Sequence, residues 1–113
     1  MKKIDFYKAF LKVRGDGLTE SNIGFKKGSG YLCRLYEMET DTLINVVFEN
    51  LDNTWYATHL ETGLLICGGF ATKKKCIERV EELKTRIAKV ITAKHNEPFI
   101  KAMEAFRRTQ DGL

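Results

Sequence analysis

The sequence predicts an α+β fold with a short N-terminal helix, a four-stranded antiparallel meander packed on a long amphipathic helix, and a short C-terminal helix. Four short runs of apolar, β-branched and aromatic residues, separated by tight turns, lie between residues 31 and 67. A long apolar stripe at helical spacing begins near residue 72. With 113 residues the chain can bury one hydrophobic core and is too small for a second. We therefore expect a single domain, 1–113.

The first segment, residues 3–13, has apolar side chains at helical spacing. Its stripe consists of Ile4, Tyr7 and Leu11, while lysines fall on the opposite side. This spacing predicts a short amphipathic helix. Residues 14–30 contain five glycines together with Ser, Thr and Asn, which predicts a loop.

The middle of the chain, residues 31–67, predicts an antiparallel sheet. The four predicted strands are 31–38, 43–49, 54–60 and 64–67. Connections this short can only reverse the chain, so successive strands must be antiparallel. One face of such a sheet has to pack on a helix to be stable.

The main helix is predicted over residues 72–95. Thr72 follows two glycines and is a good N-cap residue. The apolar positions of this helix recur at spacings of three and four, and they are Cys76, Ile77, Val80, Leu83, Ile87, Val90 and Ile91.

A terminal helix is predicted over residues 97–110, after the break at Asn96-Glu97-Pro98. Its apolar stripe consists of Phe99, Ile100, Met103 and Phe106. This stripe can dock on the core of the same chain or on a second subunit. A homodimer through these four residues is therefore one possible assembly.

Charge is unevenly divided along the chain, which carries a formal net charge of +4. Residues 1–30 carry +4, residues 31–71 carry −5, residues 72–95 carry +5, and residues 96–113 are neutral. A polyanion such as DNA or RNA must therefore avoid the middle of the chain.

Three lysines, Lys73, Lys74 and Lys75, fall in the first turn of the main helix. This helix end already carries about half a positive charge, so each cation there is disfavoured by roughly 0.3–1 kcal/mol. One interpretation is an anion site in which these lysines bind a phosphate. The other is a solvated run of charge. The further candidate phosphate-binding residues are Arg79, Lys26 and Lys27.

The segment from Trp55 to Leu83 resembles the small N-terminal arm-DNA-binding domain of phage and transposon tyrosine integrases. It has a hairpin turning at Thr62-Gly63, then Gly69-Phe-Ala-Thr-Lys-Lys and a helix. It is also similar to the segment that closes double-stranded-RNA-binding domains. The resemblance implies a three-stranded sheet packed on a helix, with Thr72, Lys73 and Lys74 at the matching positions.

The chain departs from the integrase pattern at Leu64 and at Lys75-Cys76. Integrase arms contact DNA with the open face of the sheet. Here the predicted sheet carries the acidic part of the chain, so repulsion disfavours that docking mode.

Catalytic and metal chemistry find little support in the sequence. A Cys–His nucleophile pair would need His59 or His95 beside a cysteine. The acidic cluster Glu37, Glu39 and Asp41 falls at a strand end and turn, where solvated charge is usual. We therefore expect no enzyme, no metal and no cofactor.

The cysteine count favours the cytoplasm. Cys33, Cys67 and Cys76 are odd in number and lack CxxC spacing, which is typical of reduced thiols. No apolar run approaches the ~18 residues of a membrane span, and the charged N-terminal segment does not resemble a signal peptide. We expect a cytoplasmic protein with no membrane contact.

The aromatic residues of the predicted strands have two interpretations. They could form a stacking platform for single-stranded nucleic acid, or they could be the inner face of the sheet. The residues concerned are Tyr31, Tyr36, Phe48, Trp55 and Tyr56. Because no Lys or Arg interleaves with them, the sequence favours the core.

Two functions follow from these patterns. The first is a small nucleic-acid-binding accessory protein, of the kind that phages and mobile elements encode, which contacts backbone phosphate through a basic helix N-terminus. The alternative is a protein-binding module, such as an inhibitor of a host defence nuclease resembling the anti-CRISPR proteins, or an assembly factor. It would use the acidic sheet edge or the aromatic face against a basic partner protein.

Overall fold

The fold is a five-stranded antiparallel sheet followed by three helices, in a computed structural model that describes residues 1–12 and 19–111. The strands, in both sequence and sheet order, are β1 (Lys2–Leu11), β2 (Ile23–Glu37), β3 (Thr42–Leu51), β4 (Thr54–His59) and β5 (Leu65–Phe70). The helices are α1 (Lys73–Glu82), α2 (Lys84–Ile91) and α3 (Glu97–Asp111). Short 3₁₀ turns, Glu20–Asn22 and Lys94–Asn96, precede β2 and α3.

The predicted N-terminal helix and four-stranded meander are wrong, because residues 2–11 form a fifth strand. β1 pairs with β2 along its whole length, from Lys2 opposite Leu32 to Leu11 opposite Ile23. The segment is rich in aromatic residues that suit a strand, and pairing and burial outweigh a helical spacing in so short a stretch. The predicted helix ended at Val13, which lies outside the described residues.

The predicted loop 14–30 is also wrong over residues 23–30, which form the first half of β2. A Cβ on Gly30 would lie only 2.6 Å from the Phe48 carbonyl oxygen and 2.8 Å from Val47 Cγ1. The glycine therefore marks a close approach between strands rather than a flexible connection. Residues 14–18 of the predicted loop lie outside the described part of the chain.

The sheet curls until its first strand reaches the β4–β5 turn. The backbone N–H of Ala9 donates to the Gly63 carbonyl at 2.9 Å. Lys8 of β1 reaches past β2 to pair with Glu49 of β3, with 2.8 Å between Nζ and Oε1. Gly28 leaves room for this contact, since a Cβ there would lie 2.4 Å from Glu49 Oε2.

Both faces of the sheet therefore bury side chains. On the concave face formed by the curl, the fully buried side chains are Phe6, Val47 and Thr58. On the other face, the sheet and the first two helices bury one apolar cluster. It consists of Ile44, Val46, Phe48, Ala57, Cys76, Val80, Ile87 and Ala88.

The predicted main helix is divided in two at Leu83. Leu83 has a ψ of 1° and is the C-cap of α1 and the N-cap of α2. The first helix lies on β3, β4 and β5, while the second lies on β2 and β3. The break lets the helical layer follow the curled sheet.

α3 packs on the end of the β1–β2 pair where β1 ends and β2 begins. Phe99 and Ala102 form a second apolar cluster with Ile23. The centres of the Phe106 and Tyr7 rings are 4.7 Å apart, and the ring planes are inclined by 72°, an edge-to-face arrangement. The terminal stripe proposed for a homodimer is therefore engaged by the sheet of its own chain: Met103 and Phe99 are buried, and Ile100 and Phe106 are half-buried.

Within the described part of the chain, none of the helices is both long enough and apolar enough to cross a membrane.

We expect Gly30→Ala to destabilise the protein by about 1–3 kcal/mol, because the new methyl group overlaps the backbone of β3. Ser29→Ala is the matched control in the same strand: the Ser29 side chain is exposed, and its loss should change the free energy of unfolding by less than about 0.5 kcal/mol. Urea denaturation measures both. Equal stability of the two variants would contradict the close approach of β2 and β3.

Candidate nucleic-acid interface

The N-terminus of α1 is built from a threonine cap followed by cations. The Thr72 hydroxyl accepts a hydrogen bond from the backbone N–H of Lys75 at 3.2 Å, as its predicted role as N-cap requires. The first turn contains no acidic residue. The partial positive charge of the helix end and the three lysines therefore add to one another.

The three lysines spread around the helix rather than converging, because successive helical residues are about 100° apart. Lys73 turns towards the sheet and is half-buried, while Lys74 and Lys75 are exposed. Among the described residues, none of the three ammonium groups lies within ion-pair distance of a carboxylate. The positive charge of this helix end is therefore available to an external anion.

Lys73 reaches two aromatic rings of the sheet. Its Nζ lies 4.6 Å from the centre of the Tyr31 ring and 5.7 Å from that of Trp55. Contacts of this kind are worth about 0.5–1 kcal/mol at exposed sites. They position the ammonium group without neutralising its charge.

A second cation approaches the same ring from β1. Lys3 lies opposite Tyr31 in the strand register, and its Nζ is 5.9 Å from the centre of that ring. Two ammonium groups that are 70 residues apart in sequence thus meet at one side chain. We call the surface formed by Lys3, Lys27, Tyr31, Trp55 and Lys73 the basic-aromatic patch.

Lys27 forms the edge of this patch: it lies on the same face of β2 as Tyr31, four residues before it and opposite Tyr7. Its Nζ lies 3.5 Å from Asp5 Oδ2, and both side chains are more than half exposed. An exposed ion pair of this kind is worth about 0.2–1 kcal/mol. A phosphate can therefore compete with Asp5 for this lysine.

Two of the six predicted phosphate-binding residues lie apart from the patch. Lys26 is on the other face of β2, opposite Lys8. Arg79 projects from the outer side of α1 and donates to Glu82 at 3.0 Å. The structure thus brings Lys27 and Lys73 to one face, with Lys74 and Lys75 beside them.

The sequence did not identify Lys3 as part of the patch. It favoured a core role for the aromatic residues of the sheet, and the structure does bury Phe48 and pack Trp55 against the core cluster, while both Tyr31 and Trp55 also reach the surface. Lys3 was not identified because residues 3–13 were predicted to form a helix rather than a strand. An alternative period of two would have placed Lys3 on the same face as Tyr7. No local signal shows that β1 pairs with the strand carrying Tyr31.

The acidic cluster of the β2–β3 turn has a structural role. The Glu37 carboxylate accepts hydrogen bonds from the backbone N–H groups of Glu39 and Thr40, at 3.0 and 2.8 Å, and from the Thr40 hydroxyl at 2.6 Å. These bonds, the Thr40 hydroxyl first, lower the pKa of Glu37. The Tyr36 hydroxyl donates to Asp41. In the described ranges, no group of three or more side chains is placed to hold a metal ion.

His59 is buried and held by its neighbours. Its Nδ1 lies 2.7 Å from the Thr62 hydroxyl, and its Nε2 lies 2.8 Å from Glu61 Oε2. Burial opposes a low pKa for Glu61, but the hydrogen bonds from His59 and Asn45 lower it nonetheless. This arrangement fixes the β4–β5 turn that meets β1.

The cysteines are poor nucleophiles. Burial raises the pKa of Cys33, Cys67 and Cys76, the last to about 12, so these thiols are protonated at neutral pH. The side chain of His95, the other histidine weighed as a catalytic base, lies outside the described part of the structure.

No family model, no curated protein and no solved structure matches the chain.

We expect Glu37→Gln to reduce the pH dependence of stability. Because folding lowers the pKa of Glu37, its carboxylate stabilises the fold fully above its unfolded pKa of about 4.3. That stabilisation is lost as the pH falls through the lower folded value. Urea denaturation between about pH 6 and pH 3 should therefore give a flatter profile for the variant.

Glu39→Gln is the matched control, since it removes an exposed charge from the same turn while leaving the three hydrogen bonds to Glu37 intact. Coincident profiles for Glu37→Gln and the unchanged protein would show that the Glu37 bonds do not stabilise the turn.

Proposed function

We propose that this chain is a small, non-enzymatic, cytoplasmic nucleic-acid-binding accessory protein that contacts backbone phosphate. The observation that carries the proposal is the meeting of Lys3 and Lys73 at Tyr31, next to Lys74 and Lys75. Lys3 and Lys73 meet there, Lys74 and Lys75 are exposed in the same first turn of α1, and none of the four forms an ion pair with a described carboxylate. Such an uncompensated cluster is what a polyanion requires.

The charge distribution supports an orientation for the bound nucleic acid. Two exposed carboxylates, Glu39 and Asp41, lie at the β2–β3 turn. Lys3 and Lys73 contact Tyr31, six residues before that end of β2. Repulsion from the acidic turn would direct the phosphate backbone to the basic-aromatic patch. Lysines act there as point charges, so binding would not depend on base sequence.

The resemblance to integrase arm domains is compatible with this proposal through the position of Thr72, Lys73 and Lys74. It also favours an origin in a phage or mobile element. In this chain the helix end and the strand carrying Lys3 would provide the phosphate contacts.

We expect DNA and RNA binding to weaken steeply with added salt. With three to five lysine–phosphate contacts, the slope of log K against log salt concentration should be roughly −2 to −4.5. The triple variant Lys73→Glu, Lys74→Glu, Lys75→Glu should bind at least about tenfold more weakly, because attraction becomes repulsion. Fluorescence anisotropy with labelled oligonucleotides at several salt concentrations measures both quantities.

In the matched control, three exposed lysines elsewhere are replaced by glutamate: Lys89, Lys94 and Lys101. The net charge changes by the same amount, so a loss confined to the first variant locates the contact at α1. Equal losses in both variants, or a wild-type protein that fails to bind at low salt, would contradict the proposal.

One observation favours the alternative function, a protein-binding module. Three exposed apolar side chains cluster at the β2–β3 turn: Tyr36 and Leu43 are paired across the strands and are 52% and 54% exposed, and Met38 is 80% exposed. Glu39 and Asp41 flank them. An apolar tip with acidic neighbours suits a basic partner protein. In that case the protein would not bind nucleic acid at about 150 mM salt.

A further inference from the structure

The aromatic side chains of the basic-aromatic patch are arranged as an open pair. The ring centres of Tyr31 and Trp55 are 6.3 Å apart, and the ring planes are inclined by 37°. Both side chains are half-buried, so their rings are anchored in the sheet but reach the surface. Rings at this angle are not stacked face to face on one another. Trp55 also packs in part against the apolar cluster under the helices, so a further planar group can pack on those parts of the two rings that reach the surface.

The group that now lies over the two rings is a lysine ammonium. A charged ammonium group stays hydrated unless it is paired, so the space above the rings is open to water. The side chain of Lys73 has a flexible four-carbon stem and no ion-pair partner among the described residues, so it can move aside. A nucleobase stacked on an aromatic ring gains more than an exposed ammonium in the same place.

We propose that the basic-aromatic patch binds single-stranded nucleic acid, with an unpaired base on Tyr31 or Trp55 and the adjacent phosphates on Lys3 and Lys73. This inference rests on the proposed function and specifies its ligand. In a duplex both faces of each base are covered by neighbouring base pairs, so the rings could contribute nothing to duplex binding. A single strand can use the rings and the lysines together.

The positions of the charges fit this ligand. Both ammonium groups lie within 6 Å of the centre of the Tyr31 ring, and every base in a single strand is flanked by two phosphates. The side chains of Ser29 and Asn50 are exposed on the same face, and they offer hydrogen bonds to base edges without selecting one base. Stacking is tolerant of sequence because every base has an aromatic face.

The test compares four ligands of about 12 nucleotides, within the range of single-strand binding sites. They are oligothymidylate, oligouridylate, a DNA duplex, and an abasic oligodeoxynucleotide that keeps the phosphates but has no bases. We expect both base-carrying single strands to bind more tightly than the duplex, and the abasic strand to bind roughly 5- to 100-fold more weakly than oligothymidylate. Trp55 is the only tryptophan in the chain, so its fluorescence should be quenched by the base-carrying single strands alone.

A substitution provides the second arm. Tyr31→Leu should weaken oligothymidylate binding roughly 5- to 100-fold while changing duplex binding little. Tyr36→Leu is the matched control, because Tyr36 lies on the same strand but faces the other way and is exposed. The ligand comparison with the unchanged protein does not depend on whether Tyr31→Leu folds.

The outcomes separate this inference from the proposed function. Salt-dependent binding with no preference for bases and no quenching would overturn the stacking inference and leave phosphate binding intact. A lack of binding to every oligonucleotide would overturn both. Tighter binding of either oligouridylate or oligothymidylate than of the duplex and the abasic strand supports the inference.

Discussion

Pairing between β1 and the glycine-containing half of β2 determines the shape of the molecule. Gly28 and Gly30 allow the sheet to bend closely over β3, where side chains would otherwise meet Glu49 and the backbone of Phe48. The bend carries Ala9 to the β4–β5 turn. It also sets the Lys8–Glu49 ion pair inside the curl, where the Glu49 carboxylate is almost fully buried. A buried carboxylate needs such a partner, so removing the lysine would leave an uncompensated charge.

The same pairing assembles the basic-aromatic patch. Lys3 reaches Tyr31 only because β1 runs beside β2 in this register. Lys73 reaches the same ring because β5 places the start of α1 over that part of the sheet. Charges that are separate blocks in the sequence become one surface. The acidic residues of segment 31–71, in contrast, do not form one surface. Glu37 accepts hydrogen bonds within its turn and Glu49 pairs with Lys8, whereas Glu39 and Asp41 are exposed at the β2–β3 turn.

The helix starts could be predicted from the sequence because they depend on residues that are neighbours in the chain. Thr72 could be recognised as the N-cap because a threonine hydroxyl before an apolar stripe at helical spacing can accept a backbone N–H of the first turn. α3 begins beside Pro98 because proline lacks an N–H, which the first turn of a helix does not need. The first strand was missed because its apolar spacing fits a helix as well as a strand. The glycines of β2 suggested a loop because their purpose, a close approach of strands, exists only in the folded chain.

The candidate site divides in the same way. The lysines of α1 could be identified from their position in a helix, and the structure leaves them unpaired with described carboxylates. The contributions of Lys3 and Lys27 depend on strand register, which no segment encodes by itself. Arg79 and Lys26 have the right charge, but neither joins the patch. Arg79 is paired with Glu82 on the outer side of α1, and Lys26 lies on the opposite face of β2.

The most direct test of the central claim is a map of backbone amide and Trp55 indole chemical shifts by NMR during titration with a single-stranded oligonucleotide. We expect the changes to cluster at Lys3, Tyr31, Trp55 and the first turn of α1, with the β2–β3 turn unaffected. Changes concentrated at Met38 to Asp41, or spread evenly over the surface, would contradict a nucleic-acid site at the basic-aromatic patch.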